Sequence, residues 1–294
     1  MKFYLFIFFL VFIHIHPVLV KASEEKAIYG TDDRVEINSL RKSPWISKAR
    51  ATAAMINRED LIFRSFKDTF TLKSGKTLKS VLNICPEEAF GDQPVVADCT
   101  GFLVAPNQIL TAGHCIPNQV RCDDIRWVFD YALTKSGYVR QVYEKDQVYQ
   151  CKRIIDRQLD RVKGIDYALI ELYRKVKDRT PLILETAAPQ MKTPLVMIGH
   201  PSGLPSKLVA GDAHIVEVMT NSFKANLDSF GGNSGSPVFN AQTGNVLGIL
   251  ISGSPDYDFD ETLGCRKNHH CTQENCHYET ISFVSNLNLA GQNN

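Results

Sequence analysis

Three residue types set far apart in this chain have the makings of an acyl-transfer centre. Ser234 lies in Gly231-Gly232-Asn233-Ser234-Gly235-Ser236-Pro237. A serine hydroxyl is a weak nucleophile until a neighbouring base takes its proton, and the oxyanion it creates on a carbonyl needs donors already in place. Glycines on both sides let the backbone turn tightly and bring bare N–H groups to the substrate. The N–H groups of Gly232 and Ser234 are the expected donors. His114, in Thr111-Ala112-Gly113-His114-Cys115, ends a strand-like run and is the candidate base. Asp166 opens the apolar run Ile165-Asp166-Tyr167-Ala168-Leu169-Ile170. A buried carboxylate there would accept from His114 Nδ1–H, fix the tautomer and stabilise the imidazolium.

The order His114, Asp166, Ser234 and the three local contexts resemble those of the chymotrypsin-like (trypsin-like) serine peptidases. TAGHC is similar to that family's histidine motif, DYALI to its aspartate motif and GNSGSP to its serine motif, and the likeness covers roughly residues 85–254. It implies two antiparallel six-stranded β-barrels with the triad in the cleft between them. It also implies a disulfide between Cys99 and Cys115, and a serine endopeptidase that hydrolyses peptide bonds through an acyl-enzyme. Asp228 stands six residues before Ser234, the offset of the trypsin branch's pocket acid, which makes it the candidate substrate-binding residue; there it would select Lys or Arg, the alternative being a carboxylate that only hydrogen-bonds a turn, and the preference for the residue before the cleaved bond stays open. The cysteine that braces the trypsin pocket is absent from Ser229-Phe230-Gly231.

Two features resemble the bacterial glutamyl endopeptidase branch. Asn233 stands where the animal enzymes have an aspartate, so it cannot make the ion pair that switches on their zymogens. Residues 27–34 look like that branch's mature start, with 23–26 as a short pro-piece. The strand Gly248-Ile249-Leu250-Ile251 lacks that branch's pocket histidine, which weakens a glutamate preference. His200, in a Gly/Pro turn, is a rival base without an acid partner.

Composition is that of a globular chain, with 44% hydrophobic and 22% charged residues. Lys2 followed by an apolar stretch to Ile13 has the layout of a secretory signal over residues 1–22, and His14, His16 and Pro17 break it before it reaches the ~20 apolar residues of a spanning helix. Without Lys2 and Lys21, 31 basic side chains face 32 acidic ones. That balance supplies no electrostatic attraction to nucleic acid or an anionic membrane, so the expected partner is a protein or peptide substrate, without stable membrane association. Eight cysteines in an exported chain point to disulfides and a secreted or periplasmic location. Cys122 with Cys151 could close a second loop in the same half, but spacing does not fix any pair beyond Cys99 with Cys115. Cys265, His269, His270, Cys271, Cys276 and His277 are zinc-ligand types, but their spacing fits no standard finger and no metal or cofactor is expected.

Short β-rich runs recur at 99–104, 125–131, 138–143, 149–155, 167–172, 195–198, 214–219, 236–239 and 246–252, which argues for an all-β barrel or sandwich. The expected organisation is a signal at 1–22, an N-terminal extension or pro-region at 23–82, a first barrel at 83–180, and a second barrel with a cysteine-rich tail at 181–294. Within the extension, Trp45, Ala49, Ala53 and Ile56 at helical spacing predict an amphipathic helix, and residues 69–78 a hairpin around Ser74-Gly75. The runners-up are a non-catalytic secreted binding module on a peptidase scaffold, and an esterase. All three triad residues are present against the first, and the Gly-x-Ser-x-Gly elbow is missing against the second.

Overall fold

Alternating apolar residues on short strands must bury one face, and here two antiparallel sheets curl so that the first barrel's core continues onto one side of the second sheet while a further cluster fills the second. The computed structural model describes residues 28–73, 75–271, 277–285 and 287. In chain order the principal strands are β1 (Arg34–Glu36), β2 (Thr52–Asn57), β3 (Ala97–Ala105), β4 (Gln108–Thr111), β5 (Ile125–Phe129), β6 (Val148–Asp160) and β7 (Ile165–Leu172). They continue as β8 (Leu195–Gly199), β9 (Lys207–Val209), β10 (Ile215–Val218), β11 (Ser222–Ala225), β12 (Pro237–Asn240), β13 (Val246–Ser252) and β14 (Glu279–Phe283). The first half is a closed barrel in the order β6-β7-β4-β3-β2-β5, and the second an eight-stranded sheet in the order β10-β11-β14-β13-β12-β8-β9-β1. This is the two-barrel architecture of the chymotrypsin-like fold, the second barrel being an open curled sheet.

Three expectations for the extension are corrected. It is no separate extension: β2 closes the first barrel, pairing with β3 and β5, and β1 pairs with β9 at the edge of the second sheet, so the barrel does not begin at residue 83. The helix expected through Ile56 stops after α1 (Trp45–Arg50), and Thr52–Asn57 is strand. Ala53 and Ala54 are both wholly buried, so this strand is covered on both faces and shows no alternation to betray it. The hairpin lies earlier than expected, Leu61–Arg64 pairing with Thr69–Leu72. Leu78 opens α2 (Leu78–Leu82), because the Thr77 side chain caps it by accepting from Ser80 N.

The barrel is filled by Trp127, Phe102, Phe129, Met55 and Tyr149 from strands that face one another. Gly101 makes room for the largest of these, since a Cβ there would lie 2.5 Å from Trp127 Cζ3 and 2.8 Å from Ile109 Cγ2. Leu195, Met197, Phe223, Val238 and Ile281 belong to the second core. Disulfides join Cys99 to Cys115, as expected, and also Cys122 to Cys151 and Cys85 to Cys265, the last across 180 residues of sequence. Cys271 is also disulfide-bonded, so neither thiol is free for zinc, and Cys276 lies outside the described residues. Among the described residues no helix is long and apolar enough to cross a membrane. The signal and the pro-piece fall outside the described residues.

Gly101→Ala should lower stability by about 1–3 kcal/mol through overpacking against Trp127, measured by denaturant unfolding. An unchanged midpoint would show that the indole can move aside.

Candidate active site

The chain leaves β4 at Thr111 and turns, which places His114 beside the start of β7. Registers Leu159 to Asp166 and Thr111 to Ala168 hold that turn against the barrel wall. Asp166 is 2% exposed. One carboxylate oxygen accepts from His114 N at 2.9 Å and the other lies 2.6 Å from His114 Nδ1. With Nδ1 donating, Nε2 carries the lone pair and points its basicity away from the acid. The turn is pinned further by Arg157 Nε, which donates to Gly113 O at 2.8 Å, and by the Cys99–Cys115 bridge.

The Ser234 loop belongs to the second sheet but rests on the first barrel. Thr100 N donates to Ser234 O at 2.8 Å, and Thr100 Oγ1 donates to Gly232 O at 2.9 Å. Thr111 Oγ1 donates to Thr100 O at 2.6 Å, so β4, β3 and the serine loop form one relay of hydrogen bonds. Cys115 Sγ lies 3.7 Å from Ser234 O, which sets the histidine turn and the serine loop side by side. Gly232 and Gly235 have φ of +89° and +87°, and a Cβ on Gly235 would collide with Thr100 O. Only glycine meets both demands.

The loop's N–H groups divide in two. Those of Gly231, Asn233, Gly235 and Ser236 donate to Asp256 Oδ2, Phe230 O, Leu250 O and Asn233 O. Those of Gly232 and Ser234 make no hydrogen bond among the described residues. Two unspent donors remain in the loop, one of them on Ser234 itself.

Asp228 does not offer the free pocket carboxylate expected of it. It is 3% exposed, and its oxygens accept from Tyr29 N at 2.8 Å and Asp33 N at 2.7 Å. Burial pushes its carboxyl up to about 6. It anchors the segment that follows residue 27, whose residues Ile28–Tyr29 also pair in parallel with His270–Cys271. Asn233 is wholly buried with neither amide atom hydrogen-bonded among the described residues. His200 is no rival base. It is 1% exposed, stacks on Tyr131, and its Nδ1 donates to Leu204 O at 3.0 Å, while burial lowers its pKa to about 3.

Sequence inspection missed Thr100 and Arg157. Thr100 follows a cysteine within a buried strand and looks like any β-branched strand residue. Arg157 sits in a strand with no local sign that it reaches Gly113.

The molecule is thus a β protein of the two-barrel hydrolase type, with a histidine–carboxylate pair on one half and a glycine-rich serine loop from the other. A family model described as a trypsin-like peptidase domain matches residues 99–249, just over half of the sequence. The chain belongs to the trypsin-like peptidase family and is a serine-type endopeptidase, a hydrolase. Among solved structures it is similar to a Glu endopeptidase in complex with MPD, at 15% identity and a TM-score of 0.49, over 84% of this chain and 94% of that one. It is also similar to the VesB protease of Vibrio cholerae, at 17% identity and a TM-score of 0.48, over 81% of this chain and 62% of that one. No curated protein sequence matches it.

Thr100→Val should strand Gly232 O and His200 N, which also contacts Thr100 Oγ1, without their partner. It is expected to cost about 1–3 kcal/mol of stability and to lower kcat more than it raises KM. Equal kcat in the variant would show that the loop holds its shape unaided. A second expectation concerns acid. His200 titrates near 6.5 when unfolded and about 3 when folded, so the unfolded state binds more protons between those values and stability falls as pH drops through that window. Asp228 and Asp256, both pushed up to about 6 by burial, act in the opposite direction between about 4 and 6. His200→Phe isolates the histidine: the wild-type minus variant unfolding free energy should decrease on acidification below pH 6.5, and a flat difference would remove the assignment.

Proposed function

We propose that Ser234, His114 and Asp166 form a catalytic triad that hydrolyses peptide bonds through an acyl-enzyme. The observation that carries it is the pairing of two unspent N–H groups, on Gly232 and Ser234, with a serine loop seated against the turn that bears an aspartate-fixed histidine. In that chemistry Ser234 Oγ attacks the substrate carbonyl while His114 Nε2 accepts its proton. Gly232 N–H and Ser234 N–H hold the oxyanion, and Asp166 stabilises the imidazolium. Collapse breaks the C–N bond as His114 returns the proton to the leaving amine. Water, deprotonated by the same imidazole, then attacks the ester and frees the acid.

Asp228 serves this site as a positioning residue. By holding Tyr29 and Asp33 it fixes the stretch that leads into the serine loop. Three disulfides fit an oxidising compartment, and we place the enzyme outside the cell or in a periplasm, delivered by the segment 1–22. Its partners are protein or peptide substrates.

Stoichiometric labelling of the wild type by a fluorophosphonate probe is expected. Ser234→Ala should abolish it and lower peptide hydrolysis by about 10⁶-fold, as removal of the nucleophile does in such triads. Persistent labelling of Ser234→Ala would move the nucleophile elsewhere.

A further inference from the structure

A cleft of about 790 Å³ opens beside His114 and Asp166. One wall is the turn at residues 161–164 between β6 and β7, and the other is the turn at 219–221 between β10 and β11. The first turn is held in place. Asn221 Nδ2 donates to Lys163 O at 3.1 Å, Lys163 N donates to Asp160 Oδ1 at 3.1 Å, and Gly164 packs so closely on Ser222 that a Cβ there would lie 2.9 Å from Ser222 Cβ. Its side chains therefore project from a fixed backbone.

The charge on these walls is one-sided. Arg161 and Lys163 are exposed cations, and the sole carboxylate in the lining, Asp166, is buried with both oxygens turned to His114. Lys163 Nζ lies 3.2 Å from Asp160, but both side chains are exposed, and such a pair is worth little. Arg161 forms no ion pair among the described residues. Hydroxyls of Thr220, Ser222 and Thr280 add donors. The cleft includes His114 and Asp166 yet none of residues 228–236, Ser234 among them, so it lies on the histidine side of the site, where it would take a substrate residue flanking the cleaved bond and not the one whose carbonyl is attacked.

We propose that Arg161 and Lys163 are specificity-determining residues that select protein substrates with an aspartate or glutamate at a position flanking the scissile bond. This rests on the triad assignment above. A carboxylate entering the cleft would meet Arg161 and Lys163, the latter held only by the exposed Asp160, whereas a lysine or arginine would meet repulsion from both.

Cleavage of a mixed peptide library by the full-length exported enzyme should show Asp and Glu enriched at one flanking position. A peptide with Glu there should exceed its Gln counterpart in kcat/KM by about fivefold, and the advantage should shrink as salt is raised. Arg161→Glu with Lys163→Glu should reverse the preference towards Lys and Arg, and Arg161→Gln with Lys163→Gln should bring the Glu-to-Gln ratio close to one. Active wild type without acidic enrichment, or a ratio unmoved in both double variants, would overturn the proposal while leaving the triad intact. Wild type that neither cleaves nor takes the fluorophosphonate would overturn the triad, and this proposal with it.

Discussion

Strand β3 holds the site together, because three consecutive residues on it each secure a different part. Cys99 bonds to the cysteine after His114, Thr100 takes hold of the serine loop through its N–H and its hydroxyl, and Gly101 admits Trp127 to the barrel core. The contacts of Thr100 matter most, since they bind a loop of the second sheet to the first barrel. The halves are also joined by a shared apolar core and by Ser206 N donating to Tyr131 O, but the Thr100 contacts are the ones that seat the serine loop itself, and catalysis by proximity is lost with displacements of about 1 Å.

The electrostatics follow from that arrangement. A carboxylate as buried as Asp166 is costly unless its charge is answered, and here His114 answers it twice, through backbone N–H and through the ring. Unspent donors at Gly232 and Ser234 carry a cost of their own, because backbone N–H groups seldom lie unpaired. Gly232 and Gly235 stand in left-handed conformations, and the N–H groups of Gly231, Asn233, Gly235 and Ser236 are all satisfied, which leaves these two as the loop's open donors. Preorganised donors of this kind suit the oxyanion role proposed for them, which calls on charge that appears only in the transition state.

The all-β class could be read from the sequence because the barrel strands β3, β7, β8 and β13 are apolar runs bounded by turns. The glycine pattern around Ser234 and the acid opening β7 were equally legible. Strand β2 was not, since burial on both faces erased its alternation and left alanines at helical spacing. Asp228 misled for a different reason. Its offset from Ser234 says nothing about which groups reach it, and Tyr29 and Asp33 lie 199 and 195 residues away in sequence. The relay through Thr100 was hidden likewise, as it joins residues 132 apart with no local signature.

The central claim is that Ser234 is a nucleophile whose carbonyl adduct is held by two particular backbone donors. A crystal structure of the enzyme inactivated by a peptidyl phosphonate tests it most directly. Phosphorus bonded to Ser234 Oγ, with one phosphonyl oxygen within about 3 Å of both Gly232 N and Ser234 N, is the result expected. An adduct on another residue, or one whose oxygen faces solvent while those two N–H groups turn away, would contradict it.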